Sequence, residues 1–208
     1  MNEGRATTRT PSPARERILD AAYDLFSRHG VRGVGVDTVI DRAGVAKMTL
    51  YRHFPSKDAL AIEFLRRREE VWTKKWLQTE VERRAATPGG RLLAIFDVFD
   101  EWFQREDFEG CSFINVLLET DDRQSPVREA TVDHLTAIRD FLKELATGAG
   151  VRDPDDFARR WHILMKGSIV AAGEGDREAA RRARRVGELV LRDELAAIPD
   201  SVPRAATA

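Results

Sequence analysis

Apolar residues recur along most of this chain at intervals of three and four, the spacing of one face of an α-helix. Ile18, Ala22, Leu25 and Phe26 make the first such stripe and predict a helix over 15–29, with Gly30 in the left-handed position just past its end. Val36, Val39, Ile40 and Ala43 predict a short helix over 36–43, entered through Gly35 and stopped by Gly44. A second short helix is expected over 47–53. Leu50 and Phe54 turn inward there, and Lys47, Met48, Thr49, Tyr51, Arg52 and His53 turn outward. Ser56 then caps a long helix reaching about residue 84, carrying Leu60, Phe64, Leu65, Trp72 and Trp76.

The remaining periodic stretches predict helices over 89–105, 112–121, 126–147, 154–172 and 177–197. The eight prolines stand at 11, 13, 55, 88, 126, 154, 199 and 203, at the expected joints and ends. Proline inside a helix costs about 3 kcal/mol, so this placement agrees with an all-α fold of about nine helices. Alternation of the strand type is absent from the pattern, and so is an Asn-Gly or Asp-Gly hairpin signal. The organisation expected is a disordered arm over 1–14, a helix-turn-helix domain over 15–60, a larger helical domain over 61–198 and a tail over 199–208.

Composition narrows the class. With 208 residues, 42% of them hydrophobic, the chain has material for a sizeable core. A single cysteine, Cys111, excludes an intrachain disulfide. The sequence offers no apolar run long enough to span a bilayer and no apolar leader core, so a cytoplasmic protein without membrane contact is expected. Net charge is -1, which argues against a uniformly basic coat protein. That balance is uneven. Residues 1–60 hold 10 Lys or Arg against 7 Asp or Glu, and residues 61–208 hold 24 against 28.

The basic end carries the candidate chemistry. Two short helices joined by a glycine turn behind a supporting helix read as helix-turn-helix. Lys47 and Arg52 can meet phosphates or guanine edges, and Thr49 can bond either or touch a thymine methyl. Tyr51 adds a hydroxyl on a rigid ring, and Lys57 lies in the first turn of the next helix. The plainer alternative is an ordinary solvated helix face. The stretch 31–60, VRGVGVDTVIDRAGVAKMTLYRHFPSKDAL, closely resembles the DNA-binding domain of tetracycline-repressor (TetR) family regulators. Its matching features are Ala43-Gly44-Val45, Thr49-Leu50-Tyr51, His53-Phe54 and Ser56-Lys57-Asp58-Ala59-Leu60. The resemblance implies DNA contacts from Thr49, Tyr51, His53 and Lys57, with Lys47, Met48 and Arg52 setting sequence preference. Two departures stand out: Gly35 and Ala46 occupy positions where the family commonly has a capping Ser or Thr, and Arg15, Arg17 and Thr38 are the candidates to make up lost phosphate contacts.

For the C-terminal part, the resemblance implies a small-molecule pocket and a homodimer formed through the last two helices, over 154–172 and 177–197. The dimer would read a palindromic double-stranded operator. The segment 110–115, GCSFIN, looks like one found in a C-terminal subgroup of the family. Candidate pocket residues are Phe99, Trp102, Phe103, Phe113, Asn115, His134, Trp161 and Met165, with His162 as a further polar group. Aromatics at helical spacing are equally the mark of plain core. Small residues such as Gly167, Ser168 and Gly187 suit close helix approach, between subunits or within one chain. No cofactor, metal site or catalytic motif is expected. An enzyme reading would rest on Glu119, Asp121 and Asp122, which sit at a predicted helix end. A third reading, a helix-turn-helix that meets protein instead of DNA, has the same residues. The expectation is a ligand-responsive transcriptional regulator, most simply a repressor.

Overall fold

Every regular element of the computed structural model, which describes residues 12–196, is helical. The helices are α1 (Pro13–Gly33), α2 (Val36–Ala43), α3 (Lys47–His53), α4 (Lys57–Arg68), α5 (Thr79–Arg84), α6 (Pro88–Phe103), α7 (Ser112–Glu119), α8 (Pro126–Gly148), α9 (Pro154–Gly173) and α10 (Ala179–Ala196). A π-helical segment, Glu69–Gln78, joins α4 to α5, so that nine helical runs are present among the described residues. The expected arm over 1–14 and tail over 199–208 lie largely outside the described residues. Where the two overlap, α1 starts earlier than the periodicity placed it. Ser12 is its N-cap, with Oγ accepting from the Arg15 N–H at 3.2 Å, and Pro13 takes the first turn, where its missing N–H costs nothing.

The long helix expected over 56–84 is corrected in its middle. Its residues are helical, but Glu69–Gln78 winds wider than α. Ion pairs spaced five apart mark that winding: Glu69 with Lys74 at 3.0 Å and Glu70 with Lys75 at 3.5 Å. On an α-helix such residues diverge, whereas i and i+5 are successive along a π-turn. Gly30 is the second correction. It has φ 72 and ψ 163, a positive φ as expected but not the left-handed helical ψ, and helical residues resume after it.

The chain forms two compact units. One comprises the described residues up to Arg68 together with 112–132. Its core is built from Ile18, Ala22 and Phe26 of α1, Val39 of α2, Leu50 of α3, Phe54, and Leu60, Phe64 and Leu65 of α4, all buried. Phe64 meets Phe26 edge-on at 5.5 Å. Phe113 and Val116 of α7 are buried in the same unit.

The other unit holds 69–111 and the described residues from Asp133 onward. Here α10 packs on α6 and α9. Gly187 is the reason they approach so closely: a Cβ there would lie 2.8 Å from the Trp161 ring and 3.3 Å from Phe96. Gly187 thus serves packing within one chain. The basic run over 177–185 is ion-paired as well, Arg181 to Asp100 at 3.1 Å and Arg184 to Asp97 at 2.9 Å. None of the described helices is long and apolar enough to cross a membrane.

His162 is buried in this second unit, and its Nδ1 has no hydrogen-bond partner. Burial, reinforced by the positive charges of Lys166 and Arg139, pushes its pKa down to about 3 from 6.5. The folded protein keeps it neutral, whereas the unfolded chain protonates it near the ordinary value. The stability this neutral group allows is complete above pH 6.5 and is lost as pH falls from there toward 3, at up to about 1.4 kcal/mol per pH unit. Urea unfolding between pH 7 and 4 measures that slope, and His162→Gln is expected to flatten it.

Candidate nucleic-acid interface

A helix of seven residues is held by what it buries. Leu50 and Phe54 anchor α3, at 0% and 1% exposure, and Gly44 sets its approach with φ 60 and ψ 47. That left-handed turn is the conformation glycine adopts without strain. With the inner face fixed, the outer face presents Met48 at 79% exposure and Tyr51 at 38%, together with exposed Lys47 and Arg52. Thr49, His53 and Lys57 are half-buried, and Thr38 on α2 is exposed. Met48, Thr49, Tyr51 and Arg52 line one open hollow. The expected residues are therefore together on one side of α3, with Lys57 at the start of α4.

The caps behave as the sequence departures imply. Neither Gly35 nor Ala46 makes a side-chain hydrogen bond to its helix. Ser56 does cap α4, its Oγ accepting from the Ala59 N–H at 3.1 Å. His53 is steadied by Ser12, with Nε2 and Oγ 3.2 Å apart. Sequence reasoning missed that contact because 41 residues separate the two, although Ser before Pro is itself a helix-start signal.

Charges on this face are partly matched already. Lys47 Nζ lies 3.1 Å from Asp37 Oδ1, and that carboxylate raises the lysine pKa, through its hydrogen bond first and its charge second. Arg15, a candidate for phosphate contact, is instead held by Glu63 and stacks over Phe54 with its guanidinium 5.1 Å from the ring centroid. In turn Arg66 and Arg15 hold the Glu63 carboxyl below its ordinary range, against the upward push of its own burial. Arg52 makes no ion pair among the described residues, which leaves it the most available cation on α3.

Two family models match: bacterial regulatory proteins of the tetR family over residues 18–64, and the tetracyclin repressor-like C-terminal domain over 88–186. The chain belongs to the TetR family. The HTH-type transcriptional regulator YjdC of Escherichia coli is 25% identical over 175 residues, which cover 81% of this chain and 90% of that protein. LmrA of Bacillus subtilis, also an HTH-type transcriptional regulator, is 33% identical over 119 residues, covering 56% of this chain and 62% of that protein. Among solved structures, a putative TetR regulator from Streptomyces avermitilis is 28% identical, with a TM-score of 0.78 over 88% of this chain and 98% of that one. The helix-turn-helix of this TetR-family protein makes it a DNA-binding transcriptional regulator and not an enzyme.

The expected pocket residues fall in both units. Phe113 is buried and Asn115 half-buried in the first unit. In the second, Phe99, Trp102 and Phe103 pack ring to ring at 5.5 Å with one another. Trp72 joins them 4.8 Å from Trp102, and Phe108 lies 4.9 Å from the same ring. Trp161 stacks on Phe157 at 5.1 Å, and Met165 is buried on the same helix. His134 meets the Glu69 carboxylate through Nδ1, a partner that periodicity does not reveal. Cys111 also has a cation within electrostatic reach, Lys166, which no neighbour in sequence supplied.

Because Asp37 engages Lys47 and adds a negative charge beside the outer face of α3, Asp37→Asn is expected to tighten DNA binding. The gain should be roughly three- to tenfold at low salt and shrink as salt screens it, measured by fluorescence anisotropy on duplex DNA.

Proposed function

We propose that this TetR-family chain is a homodimeric repressor of the cytoplasm that leaves its operator when a small molecule binds in the C-terminal region. The observation that carries the reading is the outer face of α3. Lys47, Met48, Thr49, Tyr51, Arg52 and His53 share it, with Thr38 and Lys57 flanking, and the inner face is fixed by Leu50 and Phe54. In this reading Arg52, Lys47 and Thr49 meet base edges or phosphates, and Tyr51, His53 and Lys57 fix the register on the backbone.

Dimerisation is supported by exposed apolar residues on the last two helices. Ile163 and Val170 on α9 are 69% and 51% exposed, and Val186 and Leu189 on α10 are 47% and 62%. Gly167 lies between the first two, and a Cβ there would meet nothing within 4 Å. Such a stripe costs solvation in a monomer and is satisfied by a second copy. A two-fold dimer sets two α3 helices about one helical turn of DNA apart, or a multiple of it, and reads a palindrome.

The effector site in this reading draws on Phe99, Trp102, Phe103, His134, Trp161 and Met165, all within the second unit. Support comes from buried polar atoms that lack hydrogen-bond partners: Trp161 Nε1, His162 Nδ1 and Thr73 Oγ1. A ligand with polar groups would satisfy them. A hundredfold release from DNA requires about 2.7 kcal/mol of coupling, within the usual allosteric range.

A gel shift across a salt series, on DNA from upstream of the protein's own gene, tests the reading. Wild type should bind specifically. Tyr51→Ala should abolish the specific shift, and Lys47→Ala should lower the salt slope by about 1. Sedimentation should give a dimer, and Leu189→Asp a monomer with weakened binding. Affinity no better than that for random duplex, or a wild-type monomer, rejects the proposal.

A further inference from the structure

The start of α2 is where this chain gives up a family cap, since Gly35 makes no side-chain bond there. The restraint on that region comes from elsewhere in the same unit. Gly30 interrupts α1 in a conformation that is essentially reserved for glycine, φ 72 and ψ 163. Its missing Cβ has a second consequence. A Cβ at this point would collide with the carboxylate of Glu119, the last residue of α7.

That carboxylate is engaged. Its Oε2 accepts the backbone N–H of Arg32 at 2.9 Å. Arg32 also reaches out with its guanidinium to Asp121 at 3.1 Å. An N–H just past a helix interruption has lost its i→i−4 carbonyl and needs an acceptor, and a charged one binds it about twice as strongly as a neutral one. Glu119 is in turn fixed at its own end. Arg128 of α8 donates to the carbonyls of Leu117 and Thr120, both at 3.1 Å. A guanidinium at a helix C-terminus satisfies orphan carbonyls and matches the helix dipole.

We propose that Glu119 is a positioning residue for DNA binding: its carboxylate holds the Arg32 N–H at the end of α1 and so fixes the approach to α2 from α7, and through it the orientation of α2 and α3. The carboxylates at 119 and 121, candidates for an enzyme site from sequence, have a different task here. Gly30 makes room for the contact, Glu119 makes it, and Arg128 holds Glu119's helix end. The inference rests on the reading of α3 as the DNA-contacting helix.

The test uses the full chain and the variants Glu119→Ala, Glu119→Gln and Arg128→Ala. Two readouts are taken: exchange protection of the Arg32 amide, and the ratio of operator to random-duplex affinity. Glu119→Ala should lose the Arg32 protection by at least about tenfold, and its affinity ratio should fall roughly tenfold. Random-duplex affinity should hold or rise, because a negative charge has gone. Glutamine keeps the acceptor, so Glu119→Gln should stay within about threefold of wild type on both readouts. Arg128→Ala should move both readouts in the same direction as Glu119→Ala, and it serves if the latter fails to fold. If wild type itself ignores sequence, the DNA reading fails, while Arg32 protection still reports the contact. Unchanged protection in Glu119→Ala overturns the inference, and so does lost protection with an unchanged affinity ratio.

Discussion

A helix of seven residues has too few internal hydrogen bonds to persist alone in water. α3 exists because Leu50 and Phe54 are buried at its inner side, and every outward residue takes its direction from that burial. The dependence reaches further back. Phe54 lies under the Arg15 guanidinium, which Glu63 of α4 holds, so the end of α3, the start of α1 and the middle of α4 share one small assembly. Ser12 closes it by capping α1 and contacting His53. Losing the inner anchor would therefore cost both the reading face and the supports around it.

Electrostatics set the limits of what that face can do. The first 60 residues carry a small positive excess, and much of it is spent internally. Lys47 is matched by Asp37, Arg15 by Glu63, and Arg42 by Asp24 at 2.7 Å. With so little unpaired charge, long-range attraction to DNA is modest, and affinity has to come from a few placed contacts and, in the proposed dimer, from their repetition in a second copy. The same arrangement favours specificity. Pairs such as Lys47–Asp37 resist casual exchange for phosphate and yield only where the duplex offers a better fit.

The borders of α2 and α3 were legible because local punctuation flanks them: Gly35 and Gly44 for one, Gly44 before and Pro55 after for the other. The outward set on α3 followed from the period alone. The π-helical winding over Glu69–Gln78 was not legible, since Trp72 and Trp76 have the spacing of an ordinary α stripe. The contact of His134 with Glu69, at the start of that segment, is equally invisible to local spacing. The aromatic residues of the second unit show another limit. Phe99, Trp102 and Phe103 pack ring to ring, and their spacing is the same whether they fill a core or edge a pocket. Glu119 and Asp121 were visible as an acidic cluster at a helix end. Their contact with Arg32, 87 and 89 residues away, depends on the fold.

The two missing caps connect these observations. A Ser or Thr at position 35 or 46 would satisfy its helix locally, at a gain of roughly 0.5–2 kcal/mol, and make each short helix less dependent on its surroundings. With Gly35 and Ala46, α2 and α3 draw more of their order from neighbours: from Gly44's turn, from the buried inner faces, and from the grip of α7 on Arg32. Order supplied from outside an element can be changed from outside it, whereas order supplied by its own cap cannot. Under the positioning role proposed for Glu119, such a reading head binds DNA less tightly by default and responds more to what α7 does. For the ligand-released repressor proposed above, that is the useful side of the exchange.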